Sequence, residues 1–347
     1  MKIDLNELRE KLADIDKEKV TIVFFGQPGS GKSSTINAIC GKNIAKVGVG
    51  TDTTKEAKII EHGDLMFVDL PGYGTAEFPK EEFFGKFNPL QYDLFVCVFA
   101  DKLHQSDAEF FQLLQKLRKP CIFVRNKIDE IYEEGKTLEE SEDIIGQDVR
   151  RQVGTEDITL VFVAARADKR KGIAELNDAI MSKMDAARRE KYILEAEAHT
   201  EEQLEKKCQA ALSYVNRSST YAAFNGLNPV LGVDATIDLI ILFQLYSNIR
   251  AAFGIDEDTV RNSSLGVSRK SLIVKGMSKE GIKLIFKGLG KRFAAKTVLK
   301  YVPVLGQATA AYLGHSMVEK AGREYVEACY AVAKEKLLMD LEAKREK

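Results

Sequence analysis

The chain has few residues of the kinds that build disulfide frameworks or metal cages. Its five cysteines (Cys40, Cys97, Cys121, Cys208, Cys329) are odd in number and scattered along 347 residues. That spacing excludes a paired secreted framework and a zinc site, leaving reduced core thiols as the reading. The four histidines, His62, His104, His199 and His315, show no clustering either, and none is assigned a catalytic role. An excess of charge of one sign is also missing: 51 Lys and Arg against 52 Asp and Glu leave a formal net charge of −1. Such a balance argues against a protein that coats nucleic acid over its whole surface. The stretch Met1–Lys19 is charged throughout and lacks the apolar core of a secretory signal, and Lys2 stands where N-myristoylation needs glycine. The most apolar run, Leu227–Tyr246, carries Gly232, Asp234 and Asp238, which suits a buried helix better than a membrane span. A cytoplasmic location is expected, with peripheral membrane contact left open.

With 45% hydrophobic residues, the chain can bury large cores in two domains. From Val20 to about Asp185, short β-branched or aromatic runs alternate with helical patterns. The runs are Val20–Phe25, Lys58–Glu61, Leu65–Leu70, Leu94–Ala100, Cys121–Arg125 and Thr159–Val163. The helical patterns are Ser34–Cys40, Asp107–Leu117, Leu138–Gln152 and Ile173–Ala187. This alternation predicts an α/β doubly wound sheet with ligands at the carboxyl ends of its strands. Beyond Asp185 no strand-like alternation survives, and helical stretches run from Ala186 to about Asn225, Val233 to Phe253, through a basic region to Lys300, and from Gln307 onward. The expected division is an N-terminal helix over 1–18 that packs on the helical part, a nucleotide-binding domain over 19–185 and an all-α domain over 186–347.

Gly26-Gln27-Pro28-Gly29-Ser30-Gly31-Lys32-Ser33, between a strand and a helix, has the form of a phosphate-binding loop. The backbone of Gly26, Gly29, Ser30, Gly31, Ser33 and Ser34 would turn N–H groups toward phosphates, Lys32 would reach their oxygens, and the Ser33 hydroxyl would ligate Mg²⁺. Further elements follow at successive strand ends. In Asp69-Leu70-Pro71-Gly72, the aspartate can hold Mg²⁺ through water and the Gly72 N–H can sense a γ-phosphate. In Asn126-Lys127-Ile128-Asp129, the Asp129 carboxylate can pair with guanine N1–H and its 2-amino group, a pattern adenine does not offer. The Lys127 stem can cover the base, and Asn126 can tie its loop to the phosphate loop. In Val163-Ala164-Ala165-Arg166, the Ala165 N–H can meet guanine O6. A threonine within Val47–Thr54 is expected to complete the magnesium shell, with Thr53 or Thr54 favoured over Thr51. Together these predict a P-loop GTPase using GTP or GDP with Mg²⁺. Tyr73 occupies the position where Ras-like proteins place a water-orienting glutamine, so slow intrinsic hydrolysis is expected unless another residue, subunit or partner supplies that role.

Beyond the nucleotide motifs, the chain resembles the immunity-related GTPases, an interferon-inducible, dynamin-like group, or a prokaryotic-type relative of them. The likeness rests on Asp69-Leu70-Pro71-Gly72-Tyr73-Gly74 with Phe78-Pro79, on Gln91-Tyr92-Asp93-Leu94-Phe95, on Phe123-Val124-Arg125-Asn126-Lys127-Ile128-Asp129 and on Phe253-Gly254-Ile255-Asp256. It covers Gly26 to Ile180 well and the rest in patches; Val302-Pro303-Val304-Leu305-Gly306 looks more like the helical domain appended to certain bacterial Era-like GTPases. The resemblance implies a helical domain built from both chain ends, nucleotide-dependent homodimerisation through the nucleotide face, and association with membranes. It also implies an acidic first-switch residue acting across the dimer, for which Asp52 is the nearest match. Gly29 stands where potassium-stimulated Era-like proteins carry asparagine, which weakens a ribosomal or tRNA-modifying reading. A slow GTPase serving as a binding module for a protein or ribosomal partner is the alternative.

Between Arg261 and Lys300 eleven Lys or Arg accompany one acid, Glu280. Ile282, Ile285, Phe286, Leu289 and Phe293 share a helical face from which Lys283, Lys287 and Lys291 point away. A helix of this kind suits an anionic membrane surface, or packs its apolar face in a core while its lysines are merely solvated. No series of aromatic residues accompanies the charges as single-stranded nucleic acid binding would require.

Overall fold

Val20–Phe25, a run of β-branched and aromatic residues, is buried at every position and forms strand β1 in the interior of a six-stranded sheet. The structure is a computed structural model that describes residues 19–46, 58–70, 87–226, 234–296 and 306–345. The other strands are β2 (Lys58–His62), β3 (Leu65–Asp69), β4 (Leu94–Phe99), β5 (Cys121–Arg125) and β6 (Thr159–Phe162), in the order β2-β3-β1-β4-β5-β6. All neighbours run parallel except β2 and β3, which are joined by a tight turn with Gly63 at φ 54°. Each strand run expected from the sequence is present.

Side chains of alternate parity feed opposite faces of this sheet. Ile22, Phe24, Val96 and Val124 pack with Ile36 and Ile39 of α1 (Lys32–Cys40), Leu176 and Ile180 of α4 (Ile173–Ser182) and Tyr192 of α5 (Ala186–Glu195). Val23, Phe25, Phe95 and Phe123 pack with Phe110 and Phe111 of α2 (Gln105–Lys116) and Val149 of α3 (Leu138–Val153). Because both faces are covered, both parities are apolar, and the strands read as continuous hydrophobic runs. β1 lies between β3 and β4, so the connections depart to opposite sides there and open a crevice at its carboxyl end.

The first compact unit runs through Glu197 and the second begins at Ala198, twelve residues past the expected boundary at 185. The reason lies in how α5 is held. Asp185 caps it by accepting from Arg188 N at 3.0 Å, so the pattern read as one helix over 173–187 is two. Tyr192, fully buried, donates its hydroxyl to Asn177 Oδ1 at 2.7 Å. Asn177 Nδ2 donates to Glu197 O at 3.1 Å, and Glu197 N donates to Ile39 O at 2.8 Å. These bonds bind residues 186–197 to the sheet unit. The expected N-terminal helix over 1–18 lies outside the described residues.

The second unit is all-helical. It comprises α6 (Glu201–Gly226), α7 (Asp234–Phe253), α8 (Glu257–Asn262), α9 (Val267–Lys275), α10 (Lys279–Lys296) and α11 (Gly306–Arg345). The rings of Tyr246 and Tyr325 stack at 3.8 Å and 3°. Tyr246 donates to Ala321 O at 3.2 Å and Tyr325 to Ile273 O at 3.1 Å, which binds α7, α9 and α11. Arg250 Nη1 adds a bond to Gly276 O at 2.7 Å. The chain expected to be one helix from Ala186 to Asn225 breaks at 196–200, where Ala196 is extended and Thr200 Oγ1 accepts from Gln203 N at 3.1 Å. Among the described residues no helix is long and apolar enough to cross a membrane.

Tyr192→Phe removes the donor to a buried amide oxygen, so the chain is expected to lose about 1–2 kcal/mol of stability, read from the midpoint of chemical denaturation.

Candidate functional site

The phosphate loop is shaped by two backbone constraints. Gly26 has φ 128°, and a Cβ there would lie 2.0 Å from Val98 O in β4. Gly31, the residue before α1, has φ 94°, and a Cβ there would lie 2.1 Å from Asn126 Nδ2. Side chains are barred at both positions by conformation and by neighbouring atoms. Between them Gly29 takes φ 79°, and Ser30 is buried with its Oγ lacking a hydrogen-bond partner among the described residues. Ser34 follows as the third residue of α1, half-buried.

Lys32 folds back along the loop, its Nζ donating to Gly26 O at 2.9 Å and Gln27 O at 3.3 Å. Burial pushes this ammonium below its ordinary pKa against the opposing pull of the Asp69 and Asp107 carboxylates. Asp69 ends β3 beside Phe24 of β1 and accepts from Ser33 Oγ at 3.2 Å. Burial pushes its pKa up, while Lys32 and the Ser33 bond act the other way. Asp69 Oδ1 is buried without a hydrogen-bond partner among the described residues.

Asn126 joins the loops. It leaves β5 with its N–H on Phe99 O at 2.8 Å, donates Nδ2 to Ser30 O at 2.9 Å, and accepts at Oδ1 from Ala165 N at 3.1 Å. The Ala165 N–H, expected to face a base carbonyl, is thus donated to Asn126 instead; the short Asn side chain needs a donor on its second side to be satisfied when buried. Lys127 takes φ 58° and turns the chain into the short helical turn Ile128–Glu130 that carries Asp129. The Asp129 side chain is 14% exposed, and its Oδ2 lies 3.5 Å from Lys169 Nζ without a hydrogen bond. Arg166 is exposed and forks onto Asp168 at 2.7 and 2.5 Å.

The structure therefore brings together Gly26, Gly29, Ser30, Gly31, Lys32, Ser33 and Ser34 with Asp69, and fastens Asn126 and Ala165 to them. Asp52, Thr53, Thr54 and Gly72 lie outside the described residues, as does Tyr73. Sequence reasoning missed Gln27, Asp107, Arg125 and Lys169. Arg125 is buried, donates to Asn126 O at 2.5 Å and lies over the Phe99 ring at 6.0 Å, so it braces the Asn126 loop from behind. Asp107 looked like an ordinary acid in a first helical turn and carried no signal of its burial.

Three observations fit a polyphosphate with a magnesium ion. Gly26, Gly29 and Gly31 give the loop a left-handed backbone path that other residues would resist, Lys32 is its half-buried cation, and Ser33 with the orphaned Asp69 oxygen is a hard-oxygen donor set of the type magnesium takes. Such an ion, when bound, neutralises phosphate charge. Among the described residues no three His, Cys, Asp or Glu side chains converge as a cage for another metal.

The family model described as Interferon-inducible GTPase (IIGP) matches residues 3–338. Among curated relatives, Interferon-inducible GTPase 1 of Mus musculus is 25% identical over 272 residues, 73% of this chain and 66% of that protein. Interferon-gamma-inducible GTPase 10 of Mus musculus is 25% identical over 277 residues, 72% of this chain and 64% of that protein. The chain thus spans just under two thirds of the length of these relatives. Among solved structures, a probable GTP-binding protein engB aligns with 47% of this chain and 98% of its own at 22% identity and a TM-score of 0.36.

Asn126→Ala unties Ser30 and Ala165 at once, and is expected to weaken binding of magnesium–GDP by about ten- to a hundredfold, measured by calorimetry, with the fold retained by circular dichroism.

Proposed function

This chain belongs to the interferon-inducible GTPase family, and from that premise we propose that it binds GTP with magnesium and hydrolyses it to GDP as a switch. The observation that carries the reading is the Asn126 bridge. One side chain fixes the phosphate loop, through Ser30 O, and the Ala165 loop in the same frame as the Asp129 turn, so polyphosphate and base would be read at a set distance. Lys32 and the amides from Gly29 to Ser33 are assigned to phosphate charge, Ser33 and Asp69 to magnesium, and Asp129 with Lys127 to guanine. Arg166 flanks the base site. Thr53 or Thr54 as a further magnesium ligand, and Gly72 as γ-phosphate sensor, complete the proposal from sequence alone. Hydrolysis then proceeds by positioning and electrostatic stabilisation, without a covalent intermediate.

Tyr73, in place of a water-orienting glutamine, supports a requirement for help from outside the site. We assign that help to a second copy meeting the nucleotide face, with Asp52 the acidic residue reaching across; a separate protein partner acting on a slow GTPase is the other reading. If self-association supplies it, turnover per molecule is expected to rise steeply with protein concentration, by about tenfold or more; flat turnover raised by a separate partner defeats the homodimer.

For base choice, Asp129→Asn exchanges an acceptor for a donor. It is expected to weaken guanosine binding by at least about a hundredfold and to favour xanthosine nucleotides, measured by competition; unchanged guanosine preference removes Asp129 from base recognition.

Membrane contact is proposed for the basic stretch on narrower ground than the helical pattern alone suggested. Ile282 of α10 is 1% exposed and packed inward, whereas Leu284 is 61% exposed beside the exposed Lys283 and Lys287. The side chains of Phe286, Leu289, Lys291 and Phe293 lie outside the description. The support is the exposure of Leu284, together with that of Val274, Lys275 and Lys279 earlier in the same basic stretch. Flotation with anionic vesicles is expected to recover the chain and to lose it on Leu284→Asp; recovery that is equal with neutral vesicles counts against an anionic surface.

A further inference from the structure

Asp107 is the third residue of α2, and it is wholly buried. An acid in a first helical turn ordinarily faces water and complements the helix dipole. This one faces the phosphate loop. Its Oδ2 lies 3.5 Å from Gln27 Nε2, which also donates to Ser106 Oγ at 3.3 Å. Gln27 is the second residue of the loop, so α2 and the loop meet at this contact. Asp107 Oδ1 is buried and has no hydrogen-bond partner among the described residues.

We propose that Asp107 is a positioning residue of the phosphate loop and the group that takes up a proton when a nucleoside polyphosphate binds. The inference rests on the nucleotide-binding reading above.

Among the described residues, the charged and titratable groups that bear on Asp107 are Lys32 at the head of α1, His104 at the cap of α2 and Cys97 in β4. Gln27 is its neutral neighbour. Lys32 is the cation of the loop, and it is shared between Asp107 and Asp69. A polyphosphate that engages Lys32 removes part of the counter-charge from Asp107 and adds anionic charge across the loop. In a buried site that repulsion is felt more strongly than in water.

The direction of the linkage follows. Burial already pushes Asp107 up to about 6, with Gln27, His104 and Lys32 opposing it. In the complex its value lies higher. Between the two values the complex holds a proton that the free protein lacks, so binding takes one up from the buffer. Affinity is therefore greatest below the free value and declines as pH rises through the window above it. The protonated carboxyl also gains an O–H donor, which a carboxylate does not have.

The test titrates a magnesium-bound, non-hydrolysable guanosine triphosphate analogue into the full chain by calorimetry. Two buffers of different ionisation enthalpy at about pH 6.5 give the proton count. Asp107→Asn is measured alongside as the baseline, since it differs from the wild-type chain only in that carboxyl group. The expected result is uptake of about half a proton more by the wild-type chain than by Asp107→Asn. Its dissociation constant should also weaken about threefold between about pH 6 and pH 7.5, against a flatter profile in the variant. Equal proton counts in the two proteins overturn the proposal. If Asp107→Asn does not fold, absence of uptake by the wild-type chain overturns it equally. Failure of the analogue to bind either protein, read independently with a fluorescent nucleotide, overturns the nucleotide reading and this inference with it.

Discussion

The buried amide of Asn126 is the interaction on which the arrangement of the site depends. It is 3% exposed, so its donor and acceptor must both be satisfied within the protein. It does this by reaching Ser30 O on one side and Ala165 N on the other, which fastens the loop after β1 to the loop after β6 across β4 and β5. Gly31 has no side chain because this amide passes where a Cβ would stand. The backbone adds a bond of its own between the loops after β5 and β6, Ile128 N donating to Val163 O at 3.2 Å. The Asn126 side chain extends that link to the phosphate loop.

A second constraint is the density of charge below that frame. Lys32, Asp69 and Asp107 are each wholly or mostly buried, and burial opposes the charged form of every one of them. They tolerate it by mutual attraction and by hydrogen bonds, with Lys32 the shared cation of two carboxylates. Such a cluster is poor as a source of stability and well suited to binding, because a ligand that supplies new counter-charge changes the balance of all its members. The helical unit shows the contrast: its buried tyrosines use their hydroxyls on backbone carbonyls, and their rings stack, which is packing with every polar end satisfied.

The strands were legible because β-branched and aromatic runs between turn signals have few other uses, and each of the six lies where those runs do. Helix boundaries were less so. The break at 196–200 contains no glycine or proline, and it exists because Glu197 is bonded to Ile39 and Asn177 on the sheet unit, a tertiary contact with no local mark. The same holds for the division between units. In the site, Lys32, Ser33, Asp69, Asn126 and Asp129 could be named from their order along the chain, since a strand end has to be followed at once by the residues it presents. Gln27, Asp107 and Lys169 could not, because their importance comes from proximity across elements. The Ala165 N–H shows the limit in reverse: the residue was identified, but its partner was a side chain that only the fold brings near.

The amino-acid sequence by itself determined the alternation of strand and helix, the glycine-bearing turn that opens α1, and the residue types at each strand end. These follow from local backbone freedom, side-chain shape and hydrophobic pattern. Tertiary structure alone decided which of two apolar parities meets which helix layer, where the sheet unit ends, which way the basic helix turns Ile282 and Leu284, and which acid lies beneath the phosphate loop. Those outcomes depend on burial and charge between residues distant in the chain, and no local pattern encodes the distance between them.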